Sequence, residues 1–240
     1  MINIRKIALT PEIGDWTEYK PEDSKNEVVV GSVGVSNFDR LSSEELDFAL
    51  KIHYDLAQSI ANQLRDQLKI KVDLYYIEVV QQSYKKFKEY IDENNYHLSV
   101  KAKNKYNFGL YLDSLLADIL VDRSVGGEGK KTDEELTNIE ESVLENVAKE
   151  LIMPLKSSWE CVNDSDFEIR ELLKGSVNDV ALTDNSSYLS FKIKLSIGDN
   201  NPNYFILGYC RDSILAFIKN IRKKKLEKKN NIDSKIEITA

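Results

Sequence analysis

Cysteine and histidine are nearly missing from this chain: Cys161 and Cys210, His53 and His97 are all that 240 residues contain. Four such residues scattered over that length suit neither a zinc site nor a disulfide framework, so metal chemistry is not expected. No apolar run approaches the ~20 residues of a membrane span. The N-terminal MINIRKIALTPEIGDW also lacks the apolar centre of a signal peptide, which makes the cytoplasm the expected location. Positive charge is short as well. Lys and Arg number 33 against 40 Asp and Glu, a net charge of -7, and nucleic acid as main partner would demand a basic face. The local exception, KNIRKKKLEKKNN at 219–231, reads as a helix end whose dipole favours cations, followed by a solvated linker.

Glycine is scarce too, and its distribution is uneven. Three of the ten glycines stand together in VDRSVGGEGKKT, residues 121–132. A P-loop needs G-x-x-x-x-G-K-[ST] so that amides and a lysine surround phosphates. Here Ser124 stands at the first glycine and Lys131 at the hydroxyl position. A dinucleotide fingerprint fails because Thr132 occupies its third glycine. Nothing else in the chain calls for a cofactor.

What remains is a globular pattern, 42% hydrophobic and 30% charged, enough to bury one good-sized core. Residues 1–36 show no sustained period, contain Pro11 and Pro21, and are expected to form a flexible arm. A capping box, Ser42-x-x-Glu45, opens a helix with Leu46, Ala49, Ile52, Leu56, Ala57, Ile60 and Leu64 on one face. Strands are expected at 70–75, 96–102 and 106–112 from their alternation, and Asp113 is expected to cap a helix at 114–124.

The same series then repeats. Thr132-x-x-Glu135 is expected to cap a helix at 133–158, followed by strands at 167–172, 188–197 and 203–209 and a final helix capped by Asp212. GLYLDSLLADI at 109–119 recurs as GYCRDSILAFI at 208–218, and LAQSIANQL at 56–64 lies over VAKELIMPL at 147–155. The separations, 99 and 91 residues, imply an insertion of about eight residues among the second half's strands. The expected fold is therefore α/β: three layers, α/β/α, built from a pseudo-twofold duplicated helix–three strands–helix unit around one sheet. The glycine loop becomes the joint between the halves, and a partner-binding knuckle and a plain linker both suit such a place.

SNFDRLSSEEL (36–46), ILVDRSVGGEG (119–129) and ELTNIEESVLENV (135–147) resemble the middle domain of FliM, the flagellar motor switch protein, over about residues 36–222. The resemblance implies a pseudo-symmetric α/β/α unit set beside copies of itself in the cytoplasmic C-ring, on the inner face of the membrane at the flagellar basal body. It implies a non-enzymatic role in switching rotation during chemotaxis, and contact with FliG through Gly126, Gly127 and Gly129, with Asp122 and Arg123 beside them. It gives boundaries of 1–36 for the arm, 37–226 for the middle domain and 227–240 for a linker and the start of a missing C-terminal domain. FliN and CheY are expected as partners only where the divergent or missing terminal segments are supplied. LTPEIGDW at 9–16 matches the family's CheY-recruiting peptide poorly, because Pro11 and Gly14 oppose the helix it would need.

A phosphatase is the alternative. CheC and CheX are similar to FliM in fold, and their resemblance implies a Glu and an Asn one helical turn apart, here Glu135 and Asn138, acting on phosphorylated CheY. Lys131 replaces the motif's Asp or Ser, Cys161 stands at a missing proline, and the first half offers Glu44 with Asp47. Glu135 is also expected to close the cap with Thr132. His53 is expected to be packed or interfacial, and His97 to point outward into solvent.

Overall fold

The first long helix begins where its capping box places it. The Glu45 N–H donates to Ser42 Oγ at 3.2 Å, and the Ser42 N–H donates to the Glu45 carboxylate at 2.8 Å, satisfying two otherwise orphaned donors. The computed structural model describes residues 4–6, 27–33, 40–91, 93–102, 107–129, 135–158, 167–175, 182–198, 203–219 and 221–223. In chain order these form β1 (Ile4–Lys6), β2 (Glu27–Val33), α1 (Ser43–Leu68), β3 (Val72–Ser83), α2 (Tyr84–Tyr90), β4 (Tyr96–Ala102) and β5 (Asn107–Leu112). There follow α3 (Ser114–Ser124), α4 (Asn138–Ser158), β6 (Phe167–Lys174), β7 (Ser187–Ile197), β8 (Asn203–Cys210) and a last helix, α5, at 211–219.

All the strands lie in one sheet ordered β1-β2-β3-β7-β8-β5-β4-β6. The six from β3 to β6 are antiparallel, while β1 and β2 add in parallel at the β3 edge. The segment 1–36, expected as an arm, thus contributes two strands. Alternation sorts the side chains by face. Leu98, Val100, Leu110, Leu112, Phe191, Ile193, Phe205 and Leu207 enter the main core with the apolar sides of α1, α3, α4 and α5. Tyr111, Tyr188 and Ile206 face the other way, against Tyr84 and Phe87 of α2. Three layers are present, but they are unequal: the outer layer on the second face is a single seven-residue helix among the described residues.

The duplication is visible in burial as well as letters. Ala57, Ile60, Ala61 and Leu64 of α1 are buried, and so are Ala148, Leu151, Ile152 and Leu155 of α4, each 91 residues further on. Exchanging β3 with β6, β4 with β7 and β5 with β8 reverses the order of the six antiparallel strands into itself, so a pseudo-dyad passes between β5 and β8. His97 pairs with Tyr111 in the first hairpin, and Tyr188 pairs with Cys210 in the second. The first strands differ by 91 positions and the second by 99, so the eight added residues lengthen the β7–β8 hairpin beyond this pair.

Four expectations need correction. Strand β3 runs to Ser83 rather than stopping at residue 75, because Gln81 and Gln82 are buried despite their polarity. Gln81 is satisfied there, its Oε1 accepting from the Leu41 N–H at 2.8 Å. The α4 cap is Thr137 with Glu140, and the helix starts at Asn138 rather than 133. Asp212 lies inside α5, whose entry instead brings Cys210 Sγ within 2.8 Å of Ser213 Oγ. His97 is buried, not solvated; its ring lies beside Tyr111, and burial holds its pKa below the ordinary histidine value. Thr132, Lys130, Lys131, Cys161 and the segments 9–16 and 227–240 lie outside the described residues.

Candidate functional site

Leu116, Ala117, Ile119, Leu120 and Val121 of α3 are all buried, which holds the helix firmly and fixes where its C-terminal end emerges. There the last carbonyls must find donors without a further helical turn. The Val125 N–H donates to Val121 O, the Gly126 N–H to Arg123 O, and the Gly127 N–H to Asp122 O at 2.7 Å. Ser124 Oγ donates to Leu120 O at 2.6 Å. Then Asp122 reaches back across the loop, its Oδ2 accepting from the Gly129 N–H at 2.6 Å.

This closure explains why glycine recurs. Gly126 and Gly129 have φ of 95° and 81°, the left-handed region that side chains rarely adopt. At Gly127 the constraint is space, since a Cβ would land on the Asp122 carboxylate. At Gly129 a Cβ would approach Arg123 Nε at 3.0 Å. Arg123 Nε is itself buried with no hydrogen-bond partner among the described residues, so Arg123 braces the loop by packing.

The five residues expected at this site therefore fall into two groups. Asp122, Arg123 and Gly129 build the loop from beneath, Gly129 being buried, whereas Gly126 is exposed and Gly127 half-exposed. The outer surface also includes Val125, 66% exposed, and Glu128. Val125 was missed by sequence reasoning; its signal is an apolar residue placed directly before a glycine pair that ends a buried helix. Ile139, in the first turn of α4, is 78% exposed and offers a second apolar surface after the same connection.

Glu135 and Asn138 do not form a pair on one helix face. Asn138 is the first residue of α4, and Glu135 precedes the helix. The Glu135 carboxylate accepts from Lys174 Nζ of β6 at 2.8 Å; that hydrogen bond, helped by the ammonium charge, lowers its pKa. The cap it was expected to make belongs to Glu140, whose pKa is lowered by the Thr137 N–H.

His53 is packed, as expected of a histidine on the apolar side of its helix. Its Nδ1 lies 2.8 Å from Ala49 O and its Nε2 3.0 Å from Tyr209 Oη. These contacts fit a neutral ring that donates from Nδ1 and accepts the tyrosine proton at Nε2. It stacks on Phe191 at 3.5 Å between ring centroids, and burial pulls its pKa down to about 4.

The overall architecture recurs in solved structures. The H. pylori FliM middle domain is 17% identical with a TM-score of 0.63, the match covering 75% of this chain and 99% of that one. The match to the H. pylori FliG–FliM complex is 19% identical with a TM-score of 0.63, covering 73% and 100%. Thermotoga maritima FliY is 18% identical with a TM-score of 0.63, covering 77% and 98%. A comparison with curated proteins gave no match. The fold class is thus that of the FliM middle domain. The family described as "Flagellar motor switch protein FliM" matches residues 42–210, and the chain belongs to this family.

Proposed function

We propose that this chain is a non-enzymatic switch subunit of the flagellar C-ring that binds FliG through the loop between α3 and α4. The observation that carries this reading is the closure of the loop by Asp122. A connection that served only as a linker would not need a carboxylate bound to the Gly129 N–H and a glycine at 127 to make room for it. Loops held rigidly on a packed scaffold are common recognition elements, and the solved FliG–FliM complex is among the chain's structural relatives.

In this reading the contact surface is Val125, Gly126, Gly127 and Glu128, and the buried α3 transmits a change of subunit orientation as a rigid lever. Neighbouring copies would meet through the outer surfaces of α1 and α4, a heterologous contact able to close a ring. The setting would be the cytoplasmic side of the basal body; no described helix is long and apolar enough to cross a membrane. A pull-down with FliG from the same source tests the reading. Retention by the wild-type chain and loss on Gly127→Val substitution supports it, whereas no retention contradicts it. The phosphatase alternative is disfavoured by Glu135, which lies off the helix and is engaged by Lys174.

A further inference from the structure

The lengthened β7–β8 hairpin breaks the internal symmetry, and its face on the α2 side of the sheet carries an unusual set of side chains. Tyr76, Lys194 and Tyr204 form one row across β3, β7 and β8, and Glu78, Lys192 and Ile206 form the next. The first row has no counterpart among the described residues of β4 and β5. Ala102 ends β4, whose equivalent in β7 is Ile193, and Asn107 begins β5, whose equivalent in β8 is Ile206. Lys194 and Tyr204 both lie in the extension.

The two lysines are held by rings rather than by acids. Lys192 Nζ donates to Tyr90 Oη at 2.6 Å and lies 3.8 Å from the Tyr204 ring centroid and 5.1 Å from that of Tyr90. Lys194 Nζ lies 4.7 Å from the Tyr76 centroid. Neither ammonium is in a salt bridge with a described carboxylate, although Glu78 is the cross-strand neighbour of Lys192. Tyr90 is 49% exposed, and Tyr75, at the β3 bulge, is 39% exposed. Two like charges two positions apart on one strand face repel each other, and here they do so within a chain of net charge -7.

We propose that this face of the hairpin is a binding site for a carboxylate-rich, extended segment of a partner protein, with Lys192 and Lys194 meeting its acidic groups and Tyr76, Tyr90 and Tyr204 stacking beside its backbone. Charge complementarity selects the occupant, because neither cation is neutralised by a salt bridge to a described carboxylate, Glu78 and Asp113 acting on Lys192 only through their charge. Tyrosines with low side-chain entropy and a wet hydroxyl are frequent anchors in such contacts. The site lies on the sheet face opposite α3, so it is separate from the loop that follows that helix. Burial and the repulsion of Lys194 lower the Lys192 pKa to about 8, partly offset by Glu78 and Asp113. An arriving carboxylate would raise it again.

The test is fluorescence anisotropy of fluorescein-labelled poly-L-glutamate titrated with the full 240-residue chain at low ionic strength, with Lys192→Ala/Lys194→Ala and Tyr204→Leu variants alongside. Saturable binding that weakens at least tenfold in the double-lysine variant, and also weakens in Tyr204→Leu, supports the site, provided the variants keep the wild-type circular dichroism. Absence of binding overturns it, as does equal affinity in the double-lysine variant. Single-stranded DNA binding as tightly as poly-L-glutamate would also overturn it, since attraction to any polyanion would then suffice.

Discussion

Gly109 and Gly208 face each other across β5 and β8, 99 residues apart, and the pseudo-dyad of the fold passes between them. Both are glycine because tyrosines occupy the space above them. A Cβ on Gly109 would meet Tyr111 Oη at 2.5 Å, and one on Gly208 would meet Tyr188 Oη at 2.5 Å. Those hydroxyls lie 3.1 Å apart in a hydrogen bond, and Phe87 packs against both rings. The centre of symmetry is thus a paired-tyrosine bridge roofed by α2.

Because the rings are pinned, they cannot move aside cheaply. Alanine at either glycine is expected to destabilise the fold by roughly 1–3 kcal/mol, the usual range for overpacking. Gly109→Ala combined with Tyr111→Phe is expected to recover little, since the ring remains. Denaturant unfolding of the three variants checks this; wild-type midpoints would contradict it.

A second expectation concerns Pro154, which sits inside α4 and has no N–H to offer Glu150 O. Gln63 of α1 fills the gap, its Nε2 donating to that carbonyl at 3.1 Å, and Gln67 bonds the Glu150 side chain. Gln63→Leu is expected to cost about 1 kcal/mol. In a Pro154→Ala background the cost is expected to fall close to zero, because the helix then supplies its own donor. A double-mutant cycle measures this coupling directly.

His53 makes stability depend on pH. Its folded pKa is about 4, against 6.5 for the ordinary group, so the folded state resists protonation. The unfolded chain therefore binds more protons between these values, and stability falls as pH drops from 6.5 towards 4. The loss is on the order of 3 kcal/mol across that window. His97 shifts in the same direction, so His53→Phe is expected to reduce the slope without abolishing it. Chemical denaturation at a series of pH values gives the slope.

These contrasts show what local letters carry. The Ser42–Glu45 cap, the apolar side of α1 and the repeat of Gly109 to Ile119 in Gly208 to Ile218 are patterns within one element or one copy, and they were legible. The continuation of β3 from residue 75 to Ser83 was hidden, because the partner of its buried Gln81, the Leu41 N–H, is 40 residues away. The shift of the second cap from Thr132 to Thr137 was hidden because both Thr-x-x-Glu boxes are present in the sequence. At the loop, the glycines were visible as a motif. The Asp122 closure that explains them depends on three-dimensional chain reversal, and the exposure of Val125 depends on where α3 emerges.

Catalysis is not expected. Phosphorylated CheY incubated with stoichiometric chain should lose phosphate at its intrinsic rate, and Glu135→Ala and Asn138→Ala should change nothing. An accelerated loss that both substitutions abolish would contradict the reading.

Calorimetric titration of FliG into the wild-type chain and into Gly127→Val, Asp122→Ala and Val125→Ser variants separates surface from support. The expected result is binding by the wild type and at least a tenfold loss in all three variants, with unchanged circular dichroism. Gly127→Val fails because its side chain displaces Asp122, Asp122→Ala because Gly129 is released, and Val125→Ser because an exposed apolar contact is lost. Wild-type affinity in a folded Gly127→Val protein would contradict the account.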